Sequence, residues 1–381
     1  MNTPEWEDRH EVVFEVECNA STRTFSFWTR DGLVSKSCVR SPERALIEAI
    51  NRSGNEILIL DANYGVVGTV LATECPDNHV TMAETSARAA DCCRTNAILN
   101  KAENVETELV PWSPDGEYDC LAFAPKPYVP TDVNKERLAR GLSNITPGGQ
   151  CYVATTEGMD AYRTVLATAC DEVTMVKTDA GSVITGRRER DFIANEYVTE
   201  REFRATIDGY TNRFVTIPSL FSPEELDTGT RALLRHTSVP DGARVLDLAC
   251  GYGPVGAFVG AKTDCELYAT DDNILATAMA RQNYDRNGVR AVTVETADCL
   301  DGVADETFDI VLTNPPTHAG KGVTMKMFQG VRDRLADDGE FWLVYNEIMH
   351  YDRKLRESFD FAVDVVASVE KFKIAVARPE S

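Results

Sequence analysis

The residues best suited to chemistry form the motif Asn314-Pro315-Pro316, directly after an apolar run at 309–313. Prolines cannot donate hydrogen bonds to a sheet, so they are expected to end a buried strand and to stiffen its exit. Asn314 would then project into a cleft, where its amide oxygen and the carbonyl of Pro315 can each accept a proton from a planar amine. This pairing would aim the nitrogen lone pair at a bound electrophile, and such an in-line displacement depends on positioning and charge placement.

A second group of residues suits an adenosine-containing ligand. Asp247 opens a turn in which Gly251 and Gly253 stand where the backbone must approach a ligand or adopt a positive φ. Asp271 ends the next predicted strand, where a carboxylate can accept from both ribose hydroxyls. Asp298-Cys299 follows a third strand and could meet an adenine amine or cap a turn. The sequence contains no P-loop lysine motif, which argues against a triphosphate ligand.

The elements that must position these residues occur twice in the chain. Residues 57–65 look like a weakened copy of the turn at 244–253, with Asp61 aligned with Asp247 and Gly65 with Gly251. Further matches follow in the same order at near-equal spacing: strands ending at Glu84 and Asp271, helices with asparagines at positions 96, 100, 283 and 287, and the segments 118–126 and 308–316. Strands that alternate with helices predict an α/β fold with two tandem doubly wound, Rossmann-like domains and mainly parallel sheets.

The second copy alone carries the full set of motifs. We predict a degenerate, non-catalytic first domain at 1–185, a polar linker at 186–213 and a catalytic domain at 214–381. In the first domain, Ala124 stands at the position of Asn314 and Lys126 at that of Pro316. Val67 is predicted to replace the second loop glycine, and Leu109 to replace the acid after the third strand.

Composition restricts the cellular setting. The chain has 61 acidic against 39 basic residues, a net charge of −22, and only 11 lysines. This balance resembles proteins adapted to molar salt, where the Debye length of about 3 Å would limit repulsion of a polyanionic partner. The 11 cysteines form no CxxC pair, so neither a metal site nor a disulfide framework is expected. No apolar run reaches membrane-spanning length, and we expect a cytoplasmic, halophilic protein without a membrane partner.

Taken together, these motifs resemble the two-domain ribosomal RNA small-subunit guanine-N2 methyltransferases. The matching segments are 221–230, 247–256, Asn314-Pro315-Pro316 and 344–351. The resemblance implies S-adenosylmethionine as cofactor and guanine N2 of ribosomal RNA, free or in an assembling small ribosomal subunit, as substrate. It also implies that His318 belongs to the catalytic motif and that Asp227 and Asp272 join the cofactor-binding residues.

One departure from the family concerns the base. Thr317 stands where the family usually has an aromatic residue that stacks on the target base. The same Asn-Pro-Pro geometry would serve any planar amine, so an N-methyltransferase for a protein glutamine or a small-molecule amine is an alternative. A non-catalytic RNA-binding scaffold is a further alternative, against which the intact Asp247, Asp271 and Asn314 argue.

Overall fold

The computed structural model describes residues 9–18, 21–51, 55–290 and 292–380. The chain divides into two compact units between Thr199 and Glu200. Each unit consists of a two-stranded antiparallel hairpin followed by a seven-stranded sheet with helices. No helix within the described ranges is long and apolar enough to span a membrane.

The first unit contains nine strands and five helices in its described residues. In chain order they are β1 Arg9–Cys18, β2 Ser21–Arg30, α1 Ser41–Ala49, β3 Glu56–Leu60, α2 Val66–Glu74, β4 His79–Glu84, α3 Ala87–Leu99, β5 Val105–Leu109, β6 Tyr118–Phe123, α4 Thr131–Ser143, β7 Ile145–Ala154, α5 Met159–Ala169, β8 Cys170–Lys177 and β9 Ser182–Arg188. Strands β1 and β2 form the hairpin, and the sheet has the order β5-β4-β3-β6-β7-β9-β8.

The second unit repeats this plan. Its elements are β10 Arg201–Ile207, β11 Tyr210–Thr216, α6 Thr228–His236, β12 Arg244–Leu248, α7 Pro254–Lys262, β13 Glu266–Asp271, α8 Ile274–Arg286, β14 Val292–Thr296, β15 Phe308–Thr313, α9 Lys321–Arg334, β16 Leu335–Asn346, α10 Tyr351–Phe359, β17 Phe361–Val369 and β18 Phe372–Pro379. Short 3₁₀ turns lie at Asp301–Val303 and Glu347–Met349. The sheet order β14-β13-β12-β15-β16-β18-β17 is equivalent to that of the first unit.

Both sheets combine a parallel centre with an antiparallel edge. In the second unit, β14, β13, β12, β15 and β16 run parallel, whereas β18 pairs antiparallel with both β16 and β17. A parallel sheet is buried on both faces, and β3 shows this directly. Its Ile57 and Ile59 belong to one apolar cluster, while Leu58 and Leu60 belong to another, because successive side chains point to opposite faces. The predicted fold class is confirmed.

In each unit, one asparagine within a helix and a second at the C-cap of the same helix brace the hairpin. In α8, Asn283 accepts from the backbone N–H of Val215 at 2.8 Å and donates to its carbonyl at 2.9 Å. Asn287 binds the backbone of β11 in the same way one turn later. In α3, Asn96 makes the equivalent pair with Trp28 of β2. The asparagines that matched in sequence therefore have the same structural task in both units.

The polar stretch predicted as a linker differs from the structure. Residues 186–188 complete β9 in the first sheet, and residues 201–213 form β10 and most of β11 in the second hairpin. Phe203, Ala205 and Ile207 alternate with charged or polar residues along β10, a period-2 pattern that is typical of a strand with one covered face. The high charge of the segment reflects the solvent-facing side of this hairpin, and the break between the units lies at 199–200.

Candidate active site

The predicted cofactor and catalytic residues of the second unit meet at one edge of its sheet. Strand β12 lies between β13 and β15 and runs parallel to both. The carboxyl ends of the three strands therefore share an edge, which is where ligands bind in doubly wound folds. Thr313, at the end of β15, donates from its hydroxyl to the carbonyl of Leu248 at 2.7 Å and ties the two exits together.

The glycine turn after β12 has three residues with positive φ and one open face. Ala249, Gly251 and Gly253 have φ of +61°, +55° and +85°. A Cβ at Gly253 would lie 2.9 Å from the ring of Tyr284, so packing of α8 requires this glycine. A Cβ at Gly251 would meet no atom within 4 Å, so this part of the turn faces open space beside the backbone. That opening fits the close approach of a ligand to the chain.

Asp271 connects this turn to the end of β13. One carboxylate oxygen accepts from the N–H of Gly251 and the other from the N–H of Asn273, each at 2.9 Å. Burial raises the pKa of this carboxyl above its usual range, although both backbone donors oppose the shift. Each oxygen keeps a lone pair beyond the bond described, so the side chain can still accept from ligand hydroxyls. Asp272 follows and is half-buried.

Asp247 lies beneath the turn. Its side chain is buried, and one oxygen accepts from the N–H of Gly256 at 2.9 Å and from the hydroxyl of Tyr284 at 3.4 Å. Burial raises the pKa of the Asp247 carboxyl to about 7. The geometry therefore gives this predicted cofactor residue a supporting position, in which it fixes the start of α7 relative to α8.

Asp298 and Cys299 occupy the exit of β14. The Asp298 carboxylate is buried and accepts from Lys326 Nζ at 2.8 Å and from the Cys299 thiol at 3.3 Å. Cys299 has φ +59°, and Lys326 also contacts Asp301 at 2.7 Å. The sequence showed the acid and the cysteine here, but it did not show that α9 supplies a cation to the acid.

The amide of Asn314 is held in one orientation. Its Nδ2 donates to Asp227 Oδ2 and to Thr230 Oγ1, both at 3.0 Å. Asp227 is the N-cap of α6, because the same Oδ2 accepts from the N–H of Thr230 at 2.8 Å. The Asn314 side chain is half-buried, and no bond to its Oδ1 occurs among the described residues. The amide oxygen is therefore the group that remains available to a ligand.

The segment after Asn314 turns sharply at the surface. Pro315 is buried, whereas Pro316, Thr317 and His318 are exposed. A 3.2 Å bond from the N–H of Ala319 to the carbonyl of Pro316 closes the turn. His318 thus follows the motif, as predicted, on an open part of the loop. In the described ranges no group of three or more His, Cys, Asp or Glu side chains could hold a metal ion.

Backbone conformation determines how the turns of the two units correspond. Gly65 and Gly253 each stand before a helix with φ +85°. Two residues earlier, Asn63 and Gly251 have φ of +59° and +55°. Gly65 is therefore the counterpart of Gly253, and the predicted register, which aligned Gly65 with Gly251 and placed Val67 at the second glycine, is wrong by two residues.

Charged side chains occupy the equivalent sheet edge of the first unit. By the corrected register Asp61 corresponds to Ala249, and it forms a buried ion pair with Arg137. Lys126 donates to Glu84 at 2.7 Å, with the lysine side chain 5% exposed and the glutamate 0%. Glu84 ends β4, as Asp271 ends β13. The acid that could bind ligand hydroxyls is thus paired with a cation of its own unit.

One protein family matches both units. The family described as the methyltransferase small domain matches residues 24–185 and again residues 211–376. The chain belongs to this family. It is an S-adenosylmethionine-dependent methyltransferase, and the predicted enzyme class and cofactor are confirmed.

Proteins similar to this chain in sequence include ribosomal RNA methyltransferases. The chain is 35% identical over 346 residues to ribosomal RNA large subunit methyltransferase G of Pseudomonas entomophila, covering 85% of this chain and 87% of that protein. It is 39% identical over 168 residues to the protein of the same name from Streptomyces coelicolor. This second similarity spans 42% of the chain and 44% of the relative.

A solved structure shares the whole architecture. The T. thermophilus 16S rRNA N2 methyltransferase, in complex with AdoMet and guanosine, superposes with a TM-score of 0.77 over 97% of this chain and 98% of that one. At 21% identity this likeness concerns the fold. The predicted small-subunit substrate is not confirmed, since both of these relatives are named for the large subunit.

Proposed function

We propose that the enzyme transfers a methyl group from S-adenosylmethionine to the exocyclic N2 amine of a guanine in ribosomal RNA. The observation that carries the proposal is the fixed amide of Asn314, whose NH₂ group is held by Asp227 and Thr230 so that its oxygen is left for a donor. Support for the substrate class comes from the names of the relatives and from the guanosine in the similar structure.

The cofactor fits the edge formed by β12, β13 and β14. S-adenosylmethionine supplies, when bound, a methyl group on a positively charged sulfur. The open backbone at Gly251 would accommodate it, and Asp271 would accept from the ribose hydroxyls. Asp298 and Cys299 remain assigned to the adenine side because they follow the next strand at this edge. Asp227 bonds to Asn314, so we assign it to the catalytic motif.

The catalytic motif would orient the acceptor amine by its two protons. Asn314 Oδ1 accepts one N–H, and the carbonyl of Pro315 accepts the other. The nitrogen lone pair then points toward the methyl group of the cofactor. As the C–N bond forms and the S–C bond breaks, these two acceptors stabilise the positive charge that develops on nitrogen. The nitrogen would then release one proton to water at the exposed loop, and the sulfur of the cofactor would keep the bonding electron pair as a neutral thioether. His318 stays a predicted catalytic residue at the mouth of this loop.

A methyl-transfer assay with three acceptor classes tests the proposal. The purified protein is incubated with tritiated S-adenosylmethionine and ribosomal RNA, ribosomal protein, or free nucleosides and amines, and each of the two ribosomal subunits is also offered intact. We expect label in RNA at N²-methylguanosine. Label confined to protein or to small amines would favour the alternative acceptors. Label in RNA at another base would overturn the assignment to guanine. The base needs this test because Thr317 supplies no aromatic ring to stack on it.

A further inference from the structure

The helix α6 reaches the catalytic motif through its first turn. Asp227 accepts at one oxygen, Oδ2, from three donors: the Thr230 N–H at 2.8 Å, the Asn314 Nδ2 at 3.0 Å and the Thr230 hydroxyl at 3.3 Å. Thr230 accepts the second Nδ2 proton of Asn314 at 3.0 Å. Asp227 therefore combines the role of a helix N-cap with a contact to the asparagine.

The chemistry of these groups determines the direction of the amide. A carboxylate can only accept hydrogen bonds, so the NH₂ end of Asn314 must face Asp227. Both NH₂ protons are then used, one by Asp227 and one by Thr230. An amide rotated by 180° would place its oxygen against the carboxylate, which is unfavourable. It would also offer donors to an amine that itself needs acceptors.

The first unit shows a different solution at the same place in the fold. Arg40 is the N-cap of α1, as Asp227 is of α6. Its guanidinium donates to the carbonyls of Ala124 at 3.0 Å and Pro125 at 3.2 Å. Where the asparagine is lost, the acid before the first helix is replaced by a cation that satisfies these carbonyls. The acid and the asparagine thus occur together in one unit and are both absent from the other.

We infer that Asp227 and Thr230 are positioning residues that hold the Asn314 amide with its oxygen toward the acceptor amine. This inference rests on the proposed function of Asn314 as the amine acceptor. The negative charge of Asp227 also polarises the amide, so its oxygen becomes a stronger acceptor as positive charge develops on the amine nitrogen. Asp227 acts through Asn314 and contributes little to cofactor affinity.

Two substitutions of Asp227 separate capping, orientation and charge. Asp227→Ser retains a good N-cap, but its hydroxyl is too short to hold Asn314 as well. Asp227→Asn can keep an oxygen toward all three donors, but it loses the charge. We expect kcat to fall about 10–100-fold for the serine variant and less than about tenfold for the asparagine variant. The Kd for S-adenosylmethionine should stay within about threefold in both.

Thr230 provides a test of the second hydrogen bond. Thr230→Val keeps the shape and removes the acceptor, so kcat should fall about tenfold, whereas Thr230→Ser should restore most of the turnover. Ser86→Ala removes the N-cap of α3 in the other unit and serves as the control for lost capping; its kcat should equal that of the wild type.

Unchanged kcat in Asp227→Ser would overturn the positioning role. A Kd for S-adenosylmethionine that rises more than tenfold while kcat is retained would also overturn it.

A second readout does not depend on the methyl acceptor. Nuclear magnetic resonance of ¹⁵N-asparagine-labelled protein reports exchange of the Asn314 NH₂ protons with solvent. Slow exchange in the wild type and fast exchange in Asp227→Ser are expected. Fast exchange in the wild type would overturn the inference, even if ribosomal RNA is methylated. Conversely, slow exchange without transfer to RNA would sustain the inference and refute the proposed substrate.

Discussion

Replacement of Asp271 should separate cofactor affinity from catalysis. In the structure its two oxygens hold the N–H groups of Gly251 and Asn273 at 2.9 Å, and we assign their remaining lone pairs to the ribose hydroxyls. Hydrogen bonds to charged groups contribute about 1.5–3 kcal/mol each. Removal of two such bonds in Asp271→Ala, with partial replacement by water, should therefore cost about 3 kcal/mol, or about 100-fold in Kd.

Isothermal titration with S-adenosylmethionine measures this loss directly. Asp271→Asn retains one acceptor and should weaken binding about tenfold, and kcat at saturating cofactor should fall less than tenfold in both variants. The matched control is Glu84→Gln, at the equivalent strand end of the first unit, where Lys126 is the partner. Its Kd should equal that of the wild type, with one cofactor per chain. Unchanged affinity in Asp271→Ala, or weaker binding in Glu84→Gln, would refute this account of the site.

Three further predictions follow from the same structure. Asn314→Ala should lower kcat at least about 100-fold while the cofactor Kd stays within about threefold, which single-turnover kinetics and titration would show; near-normal turnover would contradict the proposed mechanism. Burial raises the pKa of Asp247 from 3.8 to about 7. The folding stability that depends on a neutral Asp247 carboxyl is therefore fully present below pH 4 and is lost as the pH rises through 7. A pKa shift corresponds to about 1.4 kcal/mol per unit, so the free energy of unfolding of Asp247→Asn, measured in urea, should increase relative to that of the wild type by up to about 4 kcal/mol between pH 4 and 8. A difference in unfolding free energy that does not change with pH would exclude the shift. Finally, because a net charge of −22 repels itself, the melting temperature should rise between 0.1 and 2 M KCl, and a flat profile would argue against salt adaptation.

The sequence predicted the repeated α/β plan well because the buried strands are short apolar runs that end in recognisable turns. It predicted less well where one residue type can serve two geometries. Asp61 and Asp247 both follow apolar residues, yet Asp61 lies in the left-handed turn itself, which only backbone dihedrals reveal. The alignment by acid therefore slipped by two residues.

Long-range contacts account for what the sequence did not show at the site. Thr230 stands 84 residues before Asn314, and nothing in the local pattern links their side chains. Asp227 was recognised as part of a family motif, but its bond to the catalytic amide required the structure. The hairpin at 201–216 was missed because its charged, exposed face resembles a linker, although the alternation at Phe203, Ala205 and Ile207 was a usable signal.

Nucleotide mapping in cells tests the central claim most directly. Ribosomal RNA from a strain that lacks this protein, and from the same strain supplied with the wild type or Asn314→Ala, is digested and analysed by mass spectrometry. The account predicts one N²-methylguanosine that disappears on deletion, returns with the wild type and stays absent with the variant, and its position identifies the subunit. An unchanged set of N²-methylguanosines in all strains, or full restoration by Asn314→Ala, would contradict it.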